Sequence, residues 1–303
     1  MSLRIPLVLL AGLCGLRGET VARFQALADC RAFFYRGLPP SGFVGPSQVR
    51  LCQRLAGKMY FATLYDRSGR LPVYSASIYK HRAAGDPREK GVDRTWKYES
   101  QLVDPQSDAN MTEISPRALR DPAVRRSQAV AGAYPMRLGE LNYVRGQLSP
   151  GNFQGSRLSR SATYTVTNAV TYPRLFHHGG WKPGLARTAQ RLREGCQGSR
   201  AYMVSGAVRR RRGKEEWAPR VGKGRAALPQ MLWSAFCCGN GASGALLGHA
   251  EGSGTLRLGE GAGGLALGPY QTQDITVEQL ETLLAAHLGR KRVQIFEGGC
   301  TPI

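Results

Sequence analysis

The sequence predicts a single α+β domain in which a mixed or antiparallel sheet packs against helices. Strand-like runs rich in β-branched and aromatic residues occur at residues 60–65, 71–78 and 201–208. Helical periodicity marks two later segments, at about residues 183–193 and at residues 276–288. A hydrophobic content of 42% in 303 residues is typical of a globular chain, so wholesale disorder is excluded.

The first residues predict a secretory signal peptide over residues 1–18. Arg4 precedes an apolar run over residues 5–16, and small residues around Gly15 and Gly18 fit a cleavage site. The run is too short to span a bilayer, and no later apolar run reaches membrane length. We therefore expect residues 19–303 to form a secreted domain without a transmembrane segment.

The cysteine count agrees with an oxidising compartment. Of the seven cysteines, Cys14 lies in the predicted signal peptide, which leaves an even number for disulfides. Cys237 and Cys238 are adjacent, so each is expected to bond to a distant partner. The connectivity is open, and no spacing favours a zinc site. The candidate disulfide residues are Cys30, Cys52, Cys196, Cys237, Cys238 and Cys300.

The N-terminal half predicts a hairpin followed by a long polar excursion. The runs at 60–65 and 71–78 flank a turn at Ser68–Gly69. Residues 79–122 are polar with few periodic apolar positions, which predicts a surface segment. This segment contains the sequon Asn110–Met111–Thr112, a candidate glycosylation site.

Two segments in the middle of the chain organise the prediction. Residues 143–150 (Tyr-Val-Arg-Gly-Gln-Leu-Ser-Pro) place an arginine, a glycine and a polar side chain in succession. Residues 162–168 alternate in hydropathy and end at Asn168, which predicts a strand. A hairpin could hold the three side chains against that strand. The helix predicted at about residues 183–193 follows this strand, with Pro183 in its first turn and Gly195 just after its end.

This order of motifs resembles that of the DNA/RNA non-specific endonucleases of the ββα-metal, or His-Me finger, class. That class carries Asp-Arg-Gly-His, a strand ending in Asn, and then Asn-x-Gly-x-Trp with a Glu on the following helix. Arg145, Gly146 and Asn168 match this pattern, and Gly179 and Trp181 match its glycine and tryptophan. The resemblance implies a ββα-metal core within the α+β fold.

Four positions depart from the pattern of the class. Val144 stands for the aspartate, Gln147 for the general-base histidine and His177 for the second asparagine, while Leu185 stands near the glutamate position. The chain is most similar to a secreted branch of the class that tends to have Arg-Gly-Gln-Leu. The segments that carry this similarity are residues 30–35, 51–54, 61–65 and 72–76.

The resemblance implies a divalent metal, with magnesium favoured and manganese or zinc as alternatives, and it suggests roles for five residues. Asn168 and His177 are the candidate metal ligands, and Arg145 would meet the phosphate charge with a forked donor pair. Gln147 has no basic site near neutral pH, although it could orient a water, and either His177 or His178 could replace the missing base. Purely structural roles remain open: a strand charge for Arg145, a turn cap for Asn168, and exposed loop positions for the histidines.

A run of four arginines, Arg209, Arg210, Arg211 and Arg212, follows the strand predicted at 201–208. It suits a solvated hairpin tip, a phosphate-binding prong or a proprotein-convertase cleavage site; the solvated tip is the default interpretation, and the prong is the one that the resemblance supports. The formal net charge of +21, or +19 without Arg4 and Arg17, independently favours polyanionic partners.

The C-terminal part predicts a loop and a helix. Residues 239–268 contain 11 glycines without a strand–glycine loop–helix order, which predicts a low-complexity loop rather than a nucleotide site. Thr276 and Gln279 form a capping box at the start of a helix that ends before Gly289.

Three functions are compatible with these observations. The first is divalent-metal-dependent hydrolysis of DNA or RNA, slow because losing a positioned base costs about 10²–10⁴-fold. The second is a catalytically degenerate nuclease fold that binds nucleic acid without cutting it. The third is an extracellular cationic protein that binds heparin-like sulfated glycans. Metal dependence separates the first from the others, and a preference for nucleic acid over heparin separates the second from the third.

Overall fold

The computed structural model describes residues 20–43, 45–80, 90–130, 133–134, 137–138, 140–209, 211–212, 216–217, 226–259, 264–298 and 300–303. The predicted signal peptide at residues 1–18 and Arg210 lie outside the described residues.

The strands follow the alternating segments of the sequence and several short extended stretches. They are β1 (Thr20–Val21), β2 (Gln48–Leu55), β3 (Lys58–Asp66), β4 (Leu71–Tyr79), β5 (Lys97–Tyr98), β6 (Thr112–Glu113), β7 (Arg137–Leu138), β8 (Leu141–Gln147), β9 (Ala169–Pro173), β10 (Ala201–Arg209), β11 (Arg211–Arg212), β12 (Glu216–Trp217), β13 (Pro229–Cys238), β14 (Ala242–His249), β15 (Leu256–Leu258), β16 (Leu265–Leu267), β17 (Thr272–Ile275) and β18 (Thr301–Pro302).

The helices are mostly short, apart from two that pack on the sheet. They are α1 (Ala28–Arg31), α2 (Pro116–Arg120), α3 (Pro122–Ser127), α4 (Arg157–Ala162), α5 (Arg174–Phe176), α6 (Lys182–Cys196) and α7 (Val277–Leu288). A π-helical turn, His177–Trp181, joins α5 to α6. None of the helices in the described part of the chain has the length and hydropathy needed to cross a bilayer.

A nine-stranded sheet forms the centre of the fold. Its order is β1-β2-β3-β4-β10-β13-β14-β17 with antiparallel neighbours, and β18 adds a parallel pairing to β14. The predicted hairpin is confirmed as β3 and β4, and the strand predicted at 201–208 is β10. The mixed helix and antiparallel sheet content confirms the α+β prediction.

Each face of this sheet carries its own core. On one face, Trp233 and Leu247 pack with the leucines of α7 and with N-terminal aromatic residues. On the other face, Phe236 and Leu246 pack with α6 and with β8 and β9. Because neighbouring residues of a strand point to opposite faces, β13 and β14 contribute to both cores. The hairpin of β8 and β9 and helix α6 are therefore fixed on one face of a rigid sheet.

The predicted loop at residues 239–268 is wrong, because it contains β14. All eight residues of β14 are buried, between α6 on one side and α7 on the other. A strand buried on both faces shows no alternation in hydropathy, so its pattern resembles low complexity. Its glycines allow close packing: a Cβ at Gly248 would clash with the Phe176 ring.

The strand predicted at residues 162–168 is also wrong. Helix α4 ends at Ala162, and Val166–Asn168 forms a 3-10 turn, so the strand begins only at Ala169. The hydroxyls of Thr165 and Thr167 bond to side chains outside the segment, which draws the backbone into a turn. Asn168 therefore lies immediately before β9, instead of at the end of a strand.

The cysteine and helix predictions are confirmed. Cys30 bonds to Cys52, Cys196 to Cys238, and Cys237 to Cys300. The adjacent pair therefore reaches two distant partners, one on each face of the sheet. Helix α7 has the predicted capping box and ends at a left-handed Gly289.

Candidate functional site

The β8–β9 hairpin sets the geometry of the predicted motif. The two strands pair antiparallel, with Arg145 opposite Thr171 and Gln147 opposite Ala169. Because side chains alternate along a strand, Arg145 and Gln147 share one face of the hairpin, and Gly146 lies on the other. Helix α6 follows, so the order β–β–α predicted by the resemblance is present.

The side chain of Gln147 is held by hydrogen bonds on both ends of its amide. Its Nε2 donates to Thr163 Oγ1 at 2.8 Å, and its Oε1 accepts from the backbone N–H of Gly151 at 3.3 Å. The Thr163 hydroxyl in turn donates to the carbonyl of Arg160. This arrangement ties the end of β8 to the turn after α4, and the amide has no proton-accepting site near neutral pH.

Asn168 is fully buried and uses its whole hydrogen-bonding capacity. Its Oδ1 accepts from the Ser149 N–H at 2.8 Å and from the Ser75 hydroxyl at 3.2 Å. Its Nδ2 donates to the carbonyls of Thr163 at 3.0 Å and Ser149 at 3.2 Å. An amide has two donors and two acceptor directions, so all four are occupied. Asn168 therefore joins the hairpin, the turn after α4 and the central sheet.

These bonds belong to a polar seam between the hairpin and the sheet, formed by Thr63, Ser75, Ser77, Ser149 and Asn168. The hydroxyls of Thr63 and Ser75 lie 2.8 Å apart on adjacent strands, and Ser149 donates to Ser77 at 3.2 Å. All five side chains are buried. Because each finds partners within the seam, burial of these groups is compensated, and directional bonds fix the orientation of the hairpin.

A buried carboxylate supports the same turn from the other side. Glu99 Oε1 accepts from the hydroxyls of Thr165 at 2.8 Å and Thr167 at 2.7 Å. The backbone of Glu99 exchanges two hydrogen bonds with the side chain of Gln128. Glu99 therefore docks the segment that follows Trp96 onto the turn that carries Asn168.

Arg145 is half-buried between two aromatic rings. Its guanidinium carbon lies 3.9 Å from the centroid of Trp96 and 5.1 Å from that of Tyr134. Burial lowers the pKa of Arg145 from its usual range, and the neighbouring Tyr134 opposes that shift. Within the described residues no carboxylate forms an ion pair with it. Cation–π contacts thus hold the guanidinium in place without neutralising its charge.

His177 lies beside the motif through Tyr172. The two rings stack with centroids 5.7 Å apart, and the Tyr172 hydroxyl is 3.4 Å from His177 Nδ1. The same hydroxyl lies against the backbone of Gly146, where any Cβ would overlap it. This contact explains why β8 requires a glycine next to Arg145. Burial, followed by the charges of His178 and Lys182, lowers the pKa of His177, which favours the neutral imidazole.

The other motif positions divide between surface and core. His178 is exposed, with its ring edge-on to His177 at 4.8 Å. Trp181 is 2% exposed and packs on Phe176, as expected of a core residue. Leu185 points into the core of the sheet, at the position where the resemblance places a carboxylate.

The described residues do not fit a magnesium site. Magnesium prefers carboxylate and water oxygens in an octahedral arrangement. Asn168 has no free acceptor direction, and Leu185 is apolar. Of the motif positions, His177 alone would then offer the metal a ligand, a single imidazole nitrogen. In the described part of the chain, no three His, Cys, Asp or Glu side chains lie close enough to hold a metal ion. The assignments of Asn168 and His177 as metal ligands stay predictions.

The arginine run is only partly described. Arg209 is 3.8 Å from Asp66 in an ion pair at the end of β10. The backbones of Arg211 and Arg212 form β11, which pairs antiparallel with β12. Phosphate binding by the run remains a prediction. Asn110, the candidate glycosylation site, is partly exposed and accepts a hydrogen bond from the Gly57 N–H at 2.8 Å.

The structure brings together residues that sequence reasoning treated separately. Gln147 and Asn168 both bond to Thr163, so the two motif segments converge on one residue. Trp96 and Tyr134, which hold Arg145, were missed because they lie in segments without periodic patterning. Their aromatic character, in stretches otherwise polar or small, was the only available signal.

A ββα core with Arg-Gly on its first strand, mounted on a central sheet, is the arrangement of the ββα-metal nucleases. Residues 46–289 match the model of the DNA/RNA non-specific endonuclease family, and the chain belongs to this family. The ββα-metal class to which this family belongs typically uses a divalent metal and acts on nucleic acid.

Two curated relatives are similar over most of the chain. The Homo sapiens protein named Endonuclease domain-containing 1 protein is 34% identical over 234 residues, which is 76% of this chain and 42% of the relative. The Mus musculus protein of the same name is 30% identical over 301 residues, 96% of this chain and 52% of the relative. The chain thus spans about half the length of these relatives. A solved complex of EndoG with EndoGI aligns with a TM-score of 0.41 at 10% identity, covering 73% of this chain and 78% of that one.

Proposed function

We propose that this chain binds the phosphodiester backbone of DNA or RNA at the surface around Arg145, and that any cleavage it performs is slow. The observation that carries the proposal is the state of Arg145. Its guanidinium is held on Trp96 at 3.9 Å, and no carboxylate among the described residues pairs with it. A fixed guanidinium with an uncompensated charge is a forked donor suited to a phosphate.

The standard mechanism of the class lacks two of its parts at this site. Gln147 occupies the position of the general base, and its amide is bonded to Thr163 and Gly151. The donor set does not fit magnesium, since Asn168 is saturated and Leu185 is apolar. Losing positioned base catalysis alone costs about 10²–10⁴-fold in rate. Binding requires neither of these parts.

Slow hydrolysis of nucleic acid is the second candidate function, and His177 is the observation that favours it. Its lowered pKa keeps the imidazole neutral near pH 7, the form that accepts a proton. Contact with the Tyr172 hydroxyl orients the ring beside Gly146. His178 is the neighbouring exposed alternative.

The charge and the disulfides support an extracellular location and polyanionic partners. Three disulfides are typical of a secreted protein, and a net charge of +21, carried mainly by arginines, favours binding to polyanions outside the cell. Asn110 then becomes available for glycosylation. Heparin-like glycans share the negative charge of nucleic acid, so preference between the two polyanions has to be measured.

The test is a binding titration of labelled DNA and RNA over a series of salt concentrations. Arg145→Ala should weaken binding and lower the slope of log K against log[salt] by about 1. Arg257→Ala is a matched control, because it removes one exposed charge from β15, which packs on the opposite face of the sheet. Equal effects of the two variants would show that binding depends on net charge alone.

A plasmid-nicking time course with magnesium, manganese or EDTA separates binding from cleavage. The proposal expects weak or no nicking by the wild type and a modest increase in Gln147→His, which restores an imidazole with a pKa near neutrality. His177→Ala should remove any wild-type activity. Efficient wild-type nicking, or tighter binding to heparin than to nucleic acid, would contradict the proposal.

A further inference from the structure

Aromatic rings surround Arg145 in a way that phosphate binding alone does not explain. Trp96 contacts the guanidinium, and its ring forms a T-shaped pair with that of Tyr164, with centroids 5.6 Å apart. Tyr98 packs in the same small cluster, and Tyr134 forms its buried floor. Trp96, Tyr98 and Tyr164 each remain partly exposed. We call these three rings the aromatic platform.

The platform is fixed to the site by backbone bonds. The Lys97 N–H donates to the Tyr164 carbonyl at 2.9 Å, and the Thr165 hydroxyl lies 3.3 Å from the Lys97 carbonyl. The Asp93 N–H donates to Ser161 Oγ at 2.9 Å. The segment that carries Trp96 is thus attached to helix α4 on one side of the ring and to the residues just before the turn of Asn168 on the other. Trp96 is consequently preorganised next to Arg145.

Charges around the platform favour an anionic strand. The Lys97 ammonium pairs with the Asp93 carboxylate, so that acidic group is already neutralised. Arg94, two residues before Trp96, is exposed. The Arg145 guanidinium contacts the Trp96 ring, and among the described residues its N–H groups donate to no hydrogen-bond acceptor, so they remain available to a phosphate. A phosphate bound there would have its nucleoside within reach of the exposed rings.

We infer that the aromatic platform stacks unpaired nucleobases, so that this site selects single-stranded nucleic acid over duplex; this rests on the proposed function. In a duplex both faces of each base are covered by its neighbours, and a protein ring can stack only on an unpaired base. Stacking tolerates any sequence, because every base has a π face. The expected ligand is therefore single-stranded DNA or RNA without sequence preference.

The test compares three labelled probes with the wild-type protein: a 12-nucleotide strand, its duplex, and a strand of equal length with abasic sites. The ordinary strand should bind about 5- to 150-fold more tightly than the abasic strand, the range expected of one stacked base. The duplex should resemble the abasic strand after correction for its higher charge, which the salt slope measures. This comparison needs no variant and so does not depend on folding.

Variants then locate the effect. Trp96→Leu should remove the preference for the ordinary strand over the abasic strand, and Trp96→Phe should restore most of it, because a ring is again present. Tyr202→Leu is the control, since Tyr202 is a partly buried ring that packs on the opposite face of the sheet. It should leave the preference unchanged.

The outcomes separate this inference from the proposed function. Equal binding of all three probes would overturn the platform and leave phosphate binding intact. No binding of any probe would overturn both. A preference for the ordinary strand that survives in Trp96→Leu would also overturn the platform, because the stacking would then lie elsewhere.

Discussion

Replacing Asn168 tests whether this residue supports the fold or serves as a metal ligand. The side chain is fully buried and bonds to Ser75, Ser149 and Thr163. Asn168→Ala would leave the Ser149 N–H and two carbonyl oxygens without their partners. Ser75 would keep its hydrogen bond to the Thr63 hydroxyl, at 2.8 Å, so it would not be left without a partner.

The expected loss in the free energy of unfolding follows from the number of buried groups that lose their hydrogen-bond partner. A buried polar group without a partner costs roughly 1–3 kcal/mol, and such costs are not additive within one network. Three groups therefore give a loss of about 3–5 kcal/mol in the free energy of unfolding, a large value for a single substitution. Asn168→Asp should be no milder, because it replaces the Nδ2 donor by an oxygen that faces two carbonyls and adds a buried charge.

The measurement is urea unfolding followed by circular dichroism, with the disulfides intact. Asn142→Ala is the control, because Asn142 is exposed on β8 and its loss should change the free energy of unfolding by less than about 0.5 kcal/mol. A stable Asn168→Ala variant that loses metal affinity would refute the structural role and favour ligation.

Three further predictions concern neighbouring features. Gly146→Ala should destabilise the protein by about 1–3 kcal/mol in chemical denaturation, because its Cβ would overlap the Tyr172 hydroxyl, and adding Tyr172→Phe should recover part of the loss. Because the pKa of His177 is lowered in the folded protein, the unfolded chain takes up a proton at a higher pH than the folded one. Stability should therefore fall as the pH drops below about 6.5. The Tm of His177→Phe should decrease less than that of the wild type between pH 7 and pH 5. Replacing Cys196 and Cys238 by serine should cost about 4 kcal/mol by the loop-entropy relation for their 42-residue separation, measured by thermal unfolding, and an unchanged Tm would contradict it.

Elements with strong local signals could be predicted from the sequence. Helix α7 has its capping box and terminal glycine in the sequence itself, and the hairpin of β3 and β4 has alternating strands about a turn. Disulfide formation followed from an even cysteine count. These features depend on contacts within a few residues, so local pattern determines them.

Elements determined by distant partners could not be predicted in this way. Strand β14 lacks alternation because both its faces are buried, and its glycines are there for close packing with layers distant in sequence. Asn168 is in a turn because hydroxyls near it bond to Glu99, about 66 residues earlier. The pairing of Trp96 with Arg145 spans a segment without any periodic pattern. In each case a tertiary contact overrides the local preference.

The positions that depart from the pattern of the family are each accommodated by their own surroundings. Gln147 is bonded to Thr163 and Gly151, His177 is stacked on Tyr172, and Leu185 lies in an apolar core. Returning one residue to the pattern would therefore disturb a contact without supplying the others, which is why only a modest gain in nicking is expected of Gln147→His. Glutamate at 185, for example, would place a carboxylate among apolar side chains. By contrast, the seam that orients the hairpin and the rings that hold Arg145 are fully formed. The rings therefore keep Arg145 preorganised, while Gln147, His177 and Leu185 are each satisfied by their own surroundings, and this contrast supports the proposal of binding over turnover.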